Sequence, residues 1–148
     1  MHRVVKSVLV PHSARQMFDL VDDVDAYPQF LPWCSGSQVL ARKGNRKTAR
    51  IDIDYHGVRA HFTTDNVNVP GASIVVTLKE GPFRQLHGEW HFRPLSPQAC
   101  KVEFALNYEF ATAVLEGLVG PVFKHIANTF IDAFVRRAEA AYEPPPPT

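Results

Sequence analysis

Cysteine is scarce in this chain: Cys34 and Cys100 are the only two in 148 residues. Two distant thiols make no disulfide framework, and they lack the paired spacing of a zinc site. Both are expected to stay reduced, in a cytoplasmic protein. Excess charge is missing too. A formal net charge of +1 exerts no global pull on nucleic acid or acidic lipid, so DNA is not an expected partner and any attraction must come from a local patch. No stretch approaches the ~18 apolar residues of a membrane span, and Met1-His2-Arg3-Val4-Val5-Lys6 has no signal-peptide-like apolar core. Catalytic signatures are absent as well: there is no Gly-x-Ser-x-Gly elbow, no His-Glu-x-x-His and no phosphate loop. The nearest metal-like set, His87-x-Glu89-x-His91, spreads its side chains ~6.8 Å apart along a strand, too far to share one ion. No enzyme, metal or required cofactor is expected.

What is present is the balance of a globular domain, 45% hydrophobic and 21% charged. Residues 2–10 alternate weakly and stop at Pro11, the pattern of a first strand. Ser13 and Gln16 form a capping box that opens a short helix reaching about Asp22. Two prolines among the aromatics of Val24 to Pro32 favour a helical turn or loop. Strict alternation then recurs in Ala49 to Tyr55, Ala60-Phe62-Thr64, Ile74-Val76-Leu78, Leu86 to Phe92 and Cys100 to Phe110. Turn signals at Gly44-Asn45, His56-Gly57, Pro70-Gly71 and Ser96-Pro97 separate these strands. From Val114 the apolar spacing becomes helical, with a helix over Pro121–Tyr142 and a kink or fresh start near Gly117–Pro121. Pro144 to Pro147 ends it.

These elements predict an α+β fold: a curved antiparallel sheet of about six to seven strands wrapped around a long C-terminal helix. Such a sheet need not fill its concave side, and a ligand cavity is one outcome. Phe62, Trp90, Phe92, Phe104, Tyr108, Phe123 and Phe130 face inward on this reading, as do Ile51, Ile53 and Leu106, and they serve equally as a solid core. Tyr27, Phe30, Leu31 and Trp33, with Phe83 opposite, read as a rigid aromatic mouth or as a turn packed over the sheet's end. Arg42, Lys43, Arg46, Lys47 and Arg50 gather about a hairpin tip that offers RNA phosphates or lipid head groups a contact, or is simply solvated. Asp19, Asp22, Asp23 and Asp25 read as a solvated acidic cluster. A cyclase-type acid or base inside the cavity would have to be Tyr55 or Tyr108.

Three segments carry a family resemblance. Tyr27-Pro28-Gln29-Phe30-Leu31-Pro32-Trp33-Cys34 is similar to the YPxFxPxC signature of the coenzyme Q-binding START-like family. Gly81-Pro82-Phe83-Arg84-Gln85-Leu86, continued by Gly88-Glu89-Trp90-His91-Phe92-Arg93-Pro94-Leu95, resembles its DGPF..L.G.W.F.PL segment, with Glu80 replacing the usual Asp. Phe130, Ala133-Phe134 and Arg137-Ala138 resemble its C-terminal AFxxRA helix. The likeness runs from about residue 2 to 142 and places the chain in the polyketide cyclase and lipid-transport (SRPBCC) superfamily. It implies one START-like, helix-grip domain over residues 1–143 and a disordered Pro-rich tail over 144–148. Two functions follow from the resemblance. The first is binding of ubiquinone or a related prenyl lipid in the cavity, in support of respiration and with peripheral membrane contact. The alternative, from the bacterial ribosome association toxin branch that the chain resembles more closely, is binding to the large ribosomal subunit to block subunit association.

Overall fold

The computed structural model describes residues 2–142; the expected tail at 144–148 lies outside the described residues. Strand β1 (His2–Val10) leads into helix α1 (Ala14–Asp22) and a 3-10 turn at Val24–Gln29. Six strands then follow in a meander: β2 (Cys34–Lys43), β3 (Arg46–Tyr55), β4 (Val58–Val69), β5 (Ser73–Glu80), β6 (Phe83–Ser96) and β7 (Ala99–Phe110). Helix α2 (Ala113–Ala141) closes the fold. The seven strands form one sheet in the order β1-β7-β6-β5-β4-β3-β2, and every pairing is antiparallel. Short turns force each strand to pair with its predecessor, and only β1 crosses the sheet to lie beside β7.

Local chemistry explains the elements. The capping box is formed: Gln16 N donates to Ser13 Oγ at 3.1 Å and Ser13 N donates to Gln16 Oε1 at 2.9 Å. On β7 burial alternates residue by residue, Cys100 through Phe110 facing in and their neighbours out. Strand β2 has no such alternation to read in the sequence, because bulges at Cys34/Gly36 and Val39/Ala41 shift its register. At the β5–β6 turn, Gly81 passes so close to Phe62 that a Cβ there would lie 2.7 Å from the Phe62 Cβ. Only glycine fits.

The terminal helix begins at Ala113, one residue before the helical spacing read from Val114, because Thr112 caps it by accepting from Leu115 N at 3.1 Å. No fresh start occurs near Gly117–Pro121. Pro121 lies inside the helix. The hydrogen bond it withholds would have gone to Gly117, which is exposed, so that carbonyl faces solvent. At ~1.5 Å per residue the helix is about 43 Å long, and it lays Val119, Phe123, Ile126, Ala127, Ile131, Phe134 and Ala138 onto the sheet.

Candidate ligand cavity and basic hairpin

Alternation along β3 to β7 turns one residue in two toward α2, and the helix cannot fill the curve evenly. Between them lies a cavity of about 90 Å³. Drug-sized ligand pockets are roughly 300–1,000 Å³, so this is a narrow hollow that a ligand must widen by moving side chains. Of the aromatic and aliphatic residues singled out from the sequence, Tyr27, Trp33, Ile51, Phe62, Trp90, Phe104, Leu106, Phe123 and Phe130 line it. Phe62 and Phe130 keep intermediate exposure.

Two aromatic clusters flank the hollow. In one, Trp90 lies 4.5 Å from Phe104 and 5.4 Å from Phe134 between ring centroids, and Phe130 stacks on Phe104 at 5.7 Å. In the other, Phe83 meets Phe123 at 4.8 Å and Phe110 at 5.0 Å, and Tyr108 meets Phe123 at 4.7 Å. Phe83 and Tyr108 are therefore buried core, not cavity wall. Phe92 packs edge-on against Phe18 of α1, and Ile53 is buried away from the hollow. The Tyr27–Cys34 segment is not an exposed gate. Leu31 and Trp33 are buried, Tyr27 is anchored by donating to Val21 O at 2.5 Å, and Phe30 packs on Phe134 beneath the Arg137 guanidinium. The segment closes the end of the sheet and lends Tyr27 and Trp33 to the cavity from within.

The residues missed in the sequence are four aliphatic ones, Val24, Val76, Leu86 and Ile126, and the small and polar ones. Ala49, Gly88 and Ala127 line the hollow, and it exists partly because these side chains are short; a Cβ on Gly88 would press Leu106 at 3.3 Å. Thr64 and Asn66 also line it, and Thr64 Oγ1 donates to Asn66 Oδ1 at 2.9 Å. The signal was legible as alternation, since Phe62, Thr64, Asn66 and Asn68 occupy successive inward positions of β4. Polar residue type masked it.

Beside this wall, Lys47 overturns its assignment to the basic patch. It sits opposite Asn66 in the β3–β4 register, its side chain is only 1% exposed, and Nζ donates to both Asp22 O and Asp22 Oδ1. Asn68 Nδ2 donates to the same carboxylate at 2.7 Å. Asp22 is thus no free member of a solvated cluster. Burial by itself pushes its carboxyl up, but Lys47, Asn68 and Arg42 together hold it below the ordinary value. Burial lowers the Lys47 pKa, against the pull of Asp22. The hairpin tip keeps Arg42, Lys43 and Arg46 exposed, with Arg42 3.9 Å from Asp22 Oδ2. Arg50 stands on the outer face and pairs with Asp52 at 2.9 Å.

Acid–base chemistry finds little here. Tyr27 is the one titratable group among the lining residues, and burial drives its phenol far above the ordinary value. Tyr55 stacks on His125 at 5.8 Å, outside the hollow. His87, Glu89 and His91 alternate with the buried Leu86, Gly88, Trp90 and Phe92, and so stand on the outer face of β6.

Residues 10–135 match the family described as polyketide cyclase / dehydrase and lipid transport. The chain is 45% identical to the ribosome association toxin RatA of Pseudomonas aeruginosa, covering 94% of this chain and 96% of that protein. It is 43% identical to the protein of the same name from Escherichia coli K12, over 96% and 90% of the two chains. A more distant relative is the mitochondrial coenzyme Q-binding protein COQ10 homolog B of Xenopus laevis, 28% identical over 93% of this chain and 55% of that one. Among solved structures, a START superfamily protein from Mycobacterium smegmatis superposes with a TM-score of 0.77 at 25% identity, over 96% of this chain and all of that chain. Match, identity and architecture agree over residues 10–135, and the chain belongs to the polyketide cyclase / dehydrase and lipid transport family.

Proposed function

We propose that this chain is a ribosome-association toxin of the RatA kind, which docks on the large ribosomal subunit and blocks subunit joining. The observation that carries the proposal is the 45% identity to a protein of that name across nearly the full length of both chains. The exposed tip formed by Arg42, Lys43 and Arg46 supplies a compact positive contact for RNA phosphates on a protein with almost no net charge. It has no aromatic side chain for base stacking, which suits backbone contact without sequence reading. The test is co-sedimentation with purified large subunits across a salt series. Binding is expected to weaken with salt and to fall at least ~10-fold in the Arg42→Glu/Arg46→Glu double variant. Unchanged sedimentation of that variant would remove the hairpin from the contact, and no sedimentation of the wild-type protein would remove the function.

A second reading has its own support. An aromatic-lined hollow between sheet and helix suits a hydrophobic ligand such as ubiquinone or another prenyl lipid. Burial of hydrocarbon contributes ~0.8 kcal/mol per CH₂, so two or three prenyl units offset the cost of association. Solvent extraction and mass spectrometry of protein from its native host test this reading. A stoichiometric prenyl lipid is expected, and lipid-free protein that takes up no added quinone would overturn it.

A further inference from the structure

We infer that the cavity takes an uncharged amphipathic molecule head first, its carbonyl or hydroxyl group held by Asn66 and Thr64 and its hydrocarbon body lying against Trp90, Phe104 and Phe130. The inference rests on the second reading above and adds the chemistry of the head group and its place.

The inward face of a sheet pressed on a core is ordinarily apolar, and β4 breaks that rule at three successive inward positions, Thr64, Asn66 and Asn68, all buried. Asn68 has a structural role: it donates to Asp22 and helps hold the end of α1. Thr64 and Asn66 have no such role. They bond to each other, and among the described residues no acceptor meets Asn66 Nδ2. A side chain 6% exposed thus carries two N–H donors at the wall of a hollow. Asn66 borders both the hollow and an outer depression lined by Arg42, Lys43 and Arg46; on the hollow side its amide donors are placed to meet a ligand oxygen, beside the Thr64 hydroxyl. The row continues at Asn68 Oδ1, a buried acceptor without a partner.

Complementarity defines the head. A carbonyl oxygen accepts from Asn66 Nδ2. A hydroxyl does the same and can also donate to the free lone pair of Thr64 Oγ1. A charged head does not fit. No lining residue is charged, and Lys47, across the register from Asn66, is already committed to Asp22. A phosphate or carboxylate inside the hollow would be desolvated with no cation in its lining, since Arg42, Lys43 and Arg46 border the outer depression instead. The rings of Trp90, Phe104 and Phe130, in mutual contact, form the apolar part of the lining.

Trp33 and Trp90, both in the lining, provide the readout by intrinsic fluorescence. The probes are farnesol, the hydrocarbon farnesene, farnesyl phosphate, and a benzoquinone carrying two isoprene units. Wild-type protein is expected to bind farnesol and the benzoquinone ~10-fold more tightly than farnesene, the worth of one or two buried hydrogen bonds, and farnesyl phosphate more weakly than farnesol. Thr64→Val and Asn66→Leu are expected to erase the advantage of the oxygenated probes while farnesene binds no more weakly than to the wild type. Thr64→Val, nearly isosteric, keeps the test valid should Asn66→Leu melt early. Equal loss for farnesol and farnesene in the variants, no preference in the wild type, or tightest binding of the phosphate would overturn the head-group assignment while leaving a hydrophobic ligand in place. No fluorescence response to any probe would overturn the ligand reading, and this inference with it.

Discussion

The inward face of the sheet is two surfaces of similar burial and opposite chemistry. On β6 and β7 it is aromatic: Trp90, Phe92, Phe104 and Tyr108 are buried and meet one another or rings of α1 and α2. On β3 and β4 it is largely polar toward the Lys47 end, where Lys47, Thr64, Asn66 and Asn68 are as deeply buried but are held by hydrogen bonds to one another and to Asp22. The aromatic half stabilises by area and fit, and its rings are interchangeable only at the cost of packing. The polar half gains little net stability, because each bond replaces one to water. What it provides is direction. Burial alone therefore identifies a core, and residue chemistry shows which part of it is available for recognition.

The largest test of this contrast is Phe134→Ala. Phe134 is fully buried and touches Tyr27, Phe30, Trp90 and Phe130, so its loss should cost about 3–5 kcal/mol in chemical denaturation. A cost below that of a surface substitution would mean that the aromatic half is loosely packed. Next comes Asp22→Asn, which leaves the buried Lys47 ammonium without its carboxylate. About 3 kcal/mol is expected, near the low end for a broken buried pair because the Asp22 side chain is 22% exposed. The pH dependence carries a sign. Asp22 is held below its ordinary value of 3.8, so its contribution is full above that pH and disappears as pH falls through the lower folded value. The wild-type advantage over Asp22→Asn should shrink below about pH 4, and an advantage unchanged at pH 2.5 would remove the ion pair from the account.

Ala127→Leu sharpens the comparison from the cavity side. Ala127 lines the hollow and is 2% exposed, so a larger side chain fills space that is partly empty. Stability is expected to fall by no more than about 1–3 kcal/mol, while probe binding is lost and co-sedimentation with large subunits persists. Loss of both activities together would tie the ribosome contact to the cavity. The smallest effect belongs to Arg42→Glu/Arg46→Glu, which should move the melting free energy by no more than about 0.5 kcal/mol per site while reducing ribosome binding. A large stability loss would show that the tip is bound into the Lys47–Asp22 network through Arg42.

Period-based signals were legible because they act locally. The capping box at Ser13, the alternation of β7 and the turns at Gly44-Asn45 and His56-Gly57 each involve residues a few positions apart, and all are present in the fold. The helical spacing from Val114 was legible as well, but the fresh start offered near Pro121 does not occur, because Thr112 already caps the helix and Gly117, whose carbonyl Pro121 leaves without a donor, is exposed. The cavity lining was half legible: large aromatics advertise themselves, but Ala49, Gly88 and Ala127 contribute by what they lack. Lys47 was misread because a lysine beside four other basic residues looks like surface. Nothing within ten residues of it reveals the Asp22 that receives it.

The order of residues determined, by itself, an antiparallel meander followed by one long apolar helix, since backbone pairing and side-chain period depend on neighbours in the chain. The tertiary structure alone decided that Asp22, Lys47 and Asn68 form one buried network and that Thr64 and Asn66 border a hollow. Those meetings depend on the crossing of β1, α1 and the sheet over separations of 25 to 46 residues. Whether a polar side chain costs free energy or binds something is set by the partners that such long-range closure places around it.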